Sequence, residues 1–190
     1  LKEGIIIFML MKLKLVFIAV LTLLSCNNQK KDTVKQVTSE ALPENKAIYN
    51  DVELEIYDYD GLKPLLSKND GKIHVINFWA TWCKPCVKEL PYFEQLGAKY
   101  KDKNVEVLLV SLDFPHQYES KLKPFIKERD LKSKVLVLDD PDSNRWIPQI
   151  NQDWSGSIPA TIIINDEKSS FYEQSFNYTE LEEALKKFLN

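Results

Sequence analysis

Histidine and cysteine are scarce in this chain: its 190 residues include two histidines, His74 and His116, and three cysteines. A closed structural zinc site takes four ligands, usually cysteine or histidine. Carboxylates or a second molecule would have to complete one here, and a copper chaperone would want a placed histidine as well, so no metal is expected. Positive charge is not in excess either. The formal net charge of -3 leaves no electrostatic footprint for nucleic acid. No internal repeat or low-complexity tract interrupts the chain.

What the chain does have begins with an apolar run. The stretch Met11-Lys-Leu-Lys-Leu-Val-Phe-Ile-Ala-Val-Leu-Thr-Leu-Leu-Ser-Cys26 joins a short basic segment, an apolar core and a small residue before a cysteine, which is the layout of an export signal. Leu-Leu-Ser-Cys resembles the lipobox of bacterial lipoproteins, so Cys26 is the expected lipidation site and the first residue of the mature chain. Met11 is the expected initiator, which makes residues 1–10 a gene-start artefact. An uncleaved membrane helix over Ile5 to Leu24 is the alternative, but it would place Lys12 and Lys14 near mid-membrane at about 2.5–3.5 kcal/mol each. Without residues 1–25, the chain carries a formal charge of -5. Residues 26–46 are polar, have no periodic apolar face, and read as a flexible tether.

Residues 47–190 are one domain's worth of chain. Ile73 to Trp79, Val105 to Ser111 and Ala160 to Ile164 are short β-rich apolar runs, as expected for a sheet covered on both faces. Val135 to Leu138 and Phe171 to Phe176 are weaker strand candidates. Val87, Leu90, Phe93, Leu96 and Tyr100 recur at helical spacing. A second helix is expected over Tyr118 to Arg129, interrupted or opened by Pro124. A third is expected after a capping box of Thr179 and Glu182. Strands alternating with helices imply an α/β sandwich with an antiparallel edge.

The segment Trp79-Ala-Thr-Trp-Cys-Lys-Pro-Cys86 carries the chemistry. A structural disulfide between Cys83 and Cys86 would close a very small loop and restrain the unfolded chain little. A redox pair uses every residue. Cys83 at a helix N-terminus is favoured as a thiolate. Lys84 adds a cation, and Pro85 fits a first turn where a missing N–H loses no bond. Cys86, one turn on, can resolve a mixed disulfide on Cys83. Glu89 lies three residues further along the same face, where a partly buried carboxylate could exchange a proton with Cys86. Its alternative role is a solvated glutamate beside Lys88.

Asn77-Phe-Trp-Ala-Thr-Trp-Cys-Lys-Pro-Cys-Val-Lys-Glu-Leu-Pro91 resembles the active-site signature of membrane-tethered TlpA/ResA-like thiol-disulfide oxidoreductases. Ser157-Ile-Pro-Ala160 resembles their cis-proline loop, although Ala160 stands where many relatives have threonine. The resemblance implies an α/β thioredoxin-like fold, with a central mixed sheet flanked by helices. It also implies a cis bond at Ile158–Pro159, a backbone edge at Ile158 and Pro159 for the partner to pair with, and Trp82 as a partner contact beside Lys84 and Pro85. Ordinary thioredoxins carry a proton-accepting Asp at the Asn77 position; an amide cannot fill that role, and Glu89 stands where ResA-like reductases keep a thiol-tuning Glu. Trp79 reads as core. The loop Asp139 to Gly156, with Trp146 and Trp154, either widens the partner groove or packs inward.

The expected function is a thiol-disulfide oxidoreductase, lipid-tethered in the cell envelope, facing the periplasm and working as a reductase. No cofactor beyond the Cys83–Cys86 disulfide is expected. The resemblance implies an integral membrane thiol-disulfide carrier as electron donor, with oxidised periplasmic proteins or apocytochromes as acceptors. Cytochrome c maturation is the implied setting. A peroxiredoxin would need Pro-x-x-x-Thr-x-x-Cys, but Thr81 is only two residues before Cys83. A non-catalytic binding module of the envelope on the same fold is the remaining rival.

Overall fold

The computed structural model describes residues 51–66 and 69–189. Cys26, the export signal and the tether lie outside the described residues. Those that are described fall within one compact unit, Ala47–Asn190. Among them, no helix is long and apolar enough to cross a membrane.

Among the described residues, six strands form one sheet: β1 (Glu55–Tyr57), β2 (Ile73–Trp79), β3 (Val105–Ser111), β4 (Lys134–Leu138), β5 (Ala160–Ile164) and β6 (Ser169–Tyr172), in the order β1-β4-β3-β2-β5-β6. β1, β4, β3 and β2 run parallel, β5 pairs antiparallel with β2, and β6 pairs antiparallel with β5. Every residue of β2 is buried. A strand covered on both faces has no polar side to present, which explains its nearly unbroken apolar run.

Five α-helices among the described residues cover the sheet: α1 (Tyr59–Leu66), α2 (Lys84–Tyr100), α3 (Lys123–Glu128), α4 (Ser143–Ile150) and α5 (Tyr178–Lys186). The two-residue period of the strands sorts their side chains into two cores. Val75, Val107, Leu109 and Ile163 meet Leu90, Phe93 and Leu96 of α2 and Leu181 and Leu185 of α5. On the opposite face, Ile76, Phe78, Leu108 and Val110 meet Tyr59 and Leu62 of α1 and the rings of Trp146 and Trp154. Each fully buried side chain of this size contributes about 1.5–3 kcal/mol.

Several sequence expectations shift. The segment Asp139 to Gly156 is not a bare loop, because it contains α4, capped by Asp142 accepting from Arg145 N. Trp146 and Trp154 pack inward, with Trp154 4.9 Å from Phe78 and 5.6 Å from Trp146. The capping box of α5 uses Asn177 and Glu180 instead of Thr179 and Glu182. A polar residue two positions earlier offered the same pattern, and Glu182 is engaged elsewhere. The expected second helix divides into a π turn at Tyr118–Leu122 and α3, with Pro124 in the first turn of α3. The last strand ends at Tyr172, short of Phe176. β1 and α1 were not anticipated, since β1 has only three residues and its hydrogen-bonded partner β4 is far away in sequence.

Candidate active site

The cysteines sit where β2 gives way to α2. Leu112 N–H donates to the Trp79 carbonyl at 2.8 Å, continuing the β2–β3 pairing, and Cys83 N–H donates to the Ala80 carbonyl at 3.0 Å, which closes a tight turn. Cys83 is the N-cap of α2, with φ -87° and ψ 98°, and Pro85 lies in the first turn. Cys83 and Cys86 are joined as a disulfide. Cys86 N–H donates to Sγ of Cys83 at 3.3 Å. That same amide would face the sulfur once it is reduced, and a thiolate gains more from such a donor than a thiol does. Cys83 keeps 6% of its surface exposed and Cys86 none. Lys84 and Pro85 are exposed.

The loop before β5 faces this sulfur. The Ile158–Pro159 bond is cis, and the Ile158 carbonyl oxygen lies 3.7 Å from Sγ of Cys83. Ile158 is partly exposed and Pro159 is buried. Glu173, which the sequence did not single out, holds this loop together with Trp154. Glu173 accepts from Ser155 N–H and Ser157 N–H, each at 3.1 Å, and from the Ser155 hydroxyl. Trp154 Nε1 donates to the Ser157 carbonyl at 2.8 Å.

Glu89 is not a solvated helix residue, since only 1% of it is exposed. It projects from α2 towards Asn77 on β2. Asn77 Nδ2 donates to its Oε1 at 3.0 Å and Phe176 N–H to its Oε2 at 2.7 Å. Burial raises its pKa to about 7, although both hydrogen bonds pull the other way. The same Asn77 amide reaches Thr161 Oγ1 at 3.2 Å, so one side chain links the acid to β5. Asn77 Oδ1 is buried and has no hydrogen-bond partner among the described residues.

A second buried carboxylate stands behind the turn. Asp113 accepts from Thr81 N–H at 3.0 Å, from the Thr81 hydroxyl at 2.5 Å and from the Ser111 hydroxyl at 2.9 Å. Sequence reasoning passed over it. Its only signal was an Asp just past an apolar strand, at the carboxyl edge of a parallel sheet where α/β sites gather.

The histidines are not near this chemistry as a pair. His74 lies near the opposite end of β2, with Nε2 2.9 Å from Asp70 Oδ1 and Nδ1 3.6 Å from Glu106 Oε2. Those three residues could hold an ion. Lys72 Nζ, 3.2 Å from Glu106 Oε2, already supplies a cation there. His116 stacks on Phe114.

The site is thus a two-cysteine helix N-terminus on a thioredoxin-like sheet, with a proline loop against the outer sulfur and a buried acid one helical turn beyond the inner one. The chain belongs to the AhpC/TSA family, whose model matches residues 45–169. It is 43% identical over 82 residues to thiol-disulfide oxidoreductase ResA of Bacillus cereus, covering 43% of this chain and 46% of that protein. It is 32% identical over 132 residues to ResA of Geobacillus kaustophilus, covering 70% of each chain. The chain spans about half the length of the first curated relatives it matches. Among solved structures, a thiol:disulfide interchange protein of the thioredoxin family from Chlorobium tepidum superposes with a TM-score of 0.55 at 19% identity, covering 70% of this chain and 90% of that one. That likeness shows the fold.

Proposed function

We propose that this protein is a thiol-disulfide oxidoreductase that reduces disulfides of exported proteins, tethered to the envelope membrane through lipid on Cys26 and facing the periplasm. The observation that carries the reading is the Cys83–Cys86 disulfide capping α2, with Cys83 against the Ile158 carbonyl and backed by the Cys86 amide. The names of the ResA relatives support the same chemistry.

In the reducing direction, the Cys83 thiolate attacks one sulfur of the partner disulfide. A mixed disulfide forms and the partner's other sulfur leaves as a thiolate. Cys86, deprotonated, then attacks Sγ of Cys83 and expels the second partner thiolate. The partner gains two electrons and the Cys83–Cys86 disulfide is restored. The proton from Cys86 passes to Glu89, which sits one helical turn beyond it and whose pKa near 7 suits it to accept and return a proton at neutral pH. The Ile158 backbone offers an edge to which an extended partner segment can add. No metal and no cofactor besides the disulfide enters this scheme. The donor that reduces the pair again is a membrane thiol carrier, and the acceptors are oxidised envelope proteins, apocytochromes among them.

The reduction potential of the pair tests this. Proteins of this chemistry span roughly -270 to -120 mV, and about 30 mV corresponds to 1.4 kcal/mol. A value near the lower end fits a reductase, and one near the upper end reverses the direction to disulfide donation. If no reversible dithiol transition is found, or if Cys83→Ser keeps its exchange activity, the enzyme reading fails. Fatty-acid labelling that Cys26→Ala leaves undiminished would remove the tether from the proposal.

A further inference from the structure

Three large apolar side chains stand exposed among the described residues: Ile56, Trp82 at 48% and Phe114 at 53%. Two of the three are adjacent. The Trp82 and Phe114 rings stack with centroids 6.1 Å apart and planes 17° apart, and the His116 ring stacks on Phe114 at 5.8 Å and 8°. Trp82 directly precedes Cys83, so this aromatic row begins at the redox pair.

The two leading rings come from different turns, one after β2 and one after β3, and partly buried hydrogen bonds join those turns. Thr81 and Asp113, the residues immediately before Trp82 and Phe114, are tied through the Thr81 amide and hydroxyl to the Asp113 carboxylate. Asp113 is 2% exposed and is held in turn by Ser111, whose hydroxyl donates to the carboxylate and accepts from Asp113 N–H. The rings are therefore placed by a hydrogen-bonded polar network one residue behind each of them. Little ordering remains to be done when something binds, which is the condition under which exposed aromatics give affinity.

We propose that Trp82, Phe114 and His116 form a docking ledge for the substrate protein, which lays on it an extended segment with an aromatic or large aliphatic side chain within three residues of the cysteine presented to Cys83. This inference rests on the oxidoreductase reading above. The occupant follows from continuity: a partner sulfur bonded to Cys83 must bring its neighbouring residues over Trp82 or over Ile158, and on the Trp82 side it meets aromatic faces. Side chains two apart on an extended segment are separated by about 6.6–6.8 Å, close to the 6.1 Å between the first two rings. Phe114 is thus a residue that sets specificity, acting on which disulfides are reduced and leaving the sulfur chemistry to the cysteines.

The test uses the full chain and a set of disulfide peptides that differ only in carrying Phe, Leu or Asp at each position within three residues of the reactive cysteine. Bis(2-hydroxyethyl) disulfide serves as a substrate too small to reach the ledge. The expected result is a preference of about 3- to 10-fold in kcat/KM for Phe or Leu over Asp at one or more positions, carried mainly by KM. In Phe114→Ala, the preference falls below about 2-fold, while Phe114→Tyr keeps it. If the wild type shows no preference at any position, or if Phe114→Ala keeps the full preference, the ledge is wrong although the enzyme reading stands. If the wild type cannot reduce even the small disulfide, the enzyme reading fails and the ledge fails with it.

Discussion

Two glutamates tie helix α2 to the segment carrying α5, one near each end of the contact, and their environments drive them in opposite directions. Glu89, near the cysteines, is met by the Phe176 amide and the Asn77 side-chain amide, both neutral, and burial takes its pKa up to about 7. Glu182, at the far end, accepts from Lys186, Lys99, Tyr100 and Tyr178, and the two ammonium groups lead in bringing its pKa down to about 2. The side-chain type and the helix pair are the same. What separates a proton acceptor poised for neutral pH from a permanent anion is whether a cation meets the carboxylate or only dry protein does.

Placing a second carboxylate beside Glu89 should break this contrast most severely. Asn77→Asp removes the side-chain amide donor and sets two acids in contact away from water. At pH 8, stability should fall by on the order of 3–5 kcal/mol, read by denaturant unfolding, with much less loss at pH 4, where both acids hold protons. Equal losses at the two pH values would show that lost packing, not charge, is the cause.

Glu89→Gln comes next and sharpens the contrast. A carboxyl held above its ordinary value binds its proton more tightly in the folded state. Its stabilising contribution is therefore complete below about 4.5, declines as pH rises, and is gone above about 7. Over that interval the wild type should lose on the order of 3 kcal/mol relative to the variant. Gln stays neutral throughout, and Asn77 Oδ1, now unpartnered, can accept from it if the Asn77 amide turns over. The pH dependence of thiol-disulfide exchange near neutrality should flatten in the same variant. A variant whose stability profile parallels that of the wild type from pH 5 to 8 would mean that Glu89 ionises freely.

The smallest effect is expected from Glu182→Gln. Here the sign is reversed: a depressed pKa contributes stability that is present above about 4.5 and is lost as pH falls towards 2. Both lysine partners keep 54% of their side chains exposed, so the melting temperature at pH 7 should fall by no more than about 4 °C. The exchange rate and its pH profile should not move. A change in thiol reactivity would mean that the two ends of the contact are coupled.

The sequence announced the near end of this contact better than the far end. Cys83, Cys86, Pro85 and Glu89 follow one another along a single helix, so spacing alone put them on related faces. The apolar runs of β2, β3 and β5 were plain because strands buried on both sides have little choice of residue. Asp113 and Glu173 were not legible, because each works by accepting backbone N–H groups from a loop distant in sequence, and that leaves no local pattern. The burial of Glu89 was open for a related reason. Lys88 beside it suggested a wet face, and only the return of the chain at Phe176 closes the site over it. The start of α5 was misplaced by two residues because Asn177 and Thr179 each precede a glutamate by three positions, and local pattern could not choose between them.

That closing contact has a use beyond holding the acid. The Phe176 amide is 87 residues from Glu89 in sequence and donates directly to its carboxylate. Its proton resonance should therefore follow the ionisation of Glu89, giving a single backbone signal by which the charge beside the redox pair can be watched in solution without labelling either cysteine.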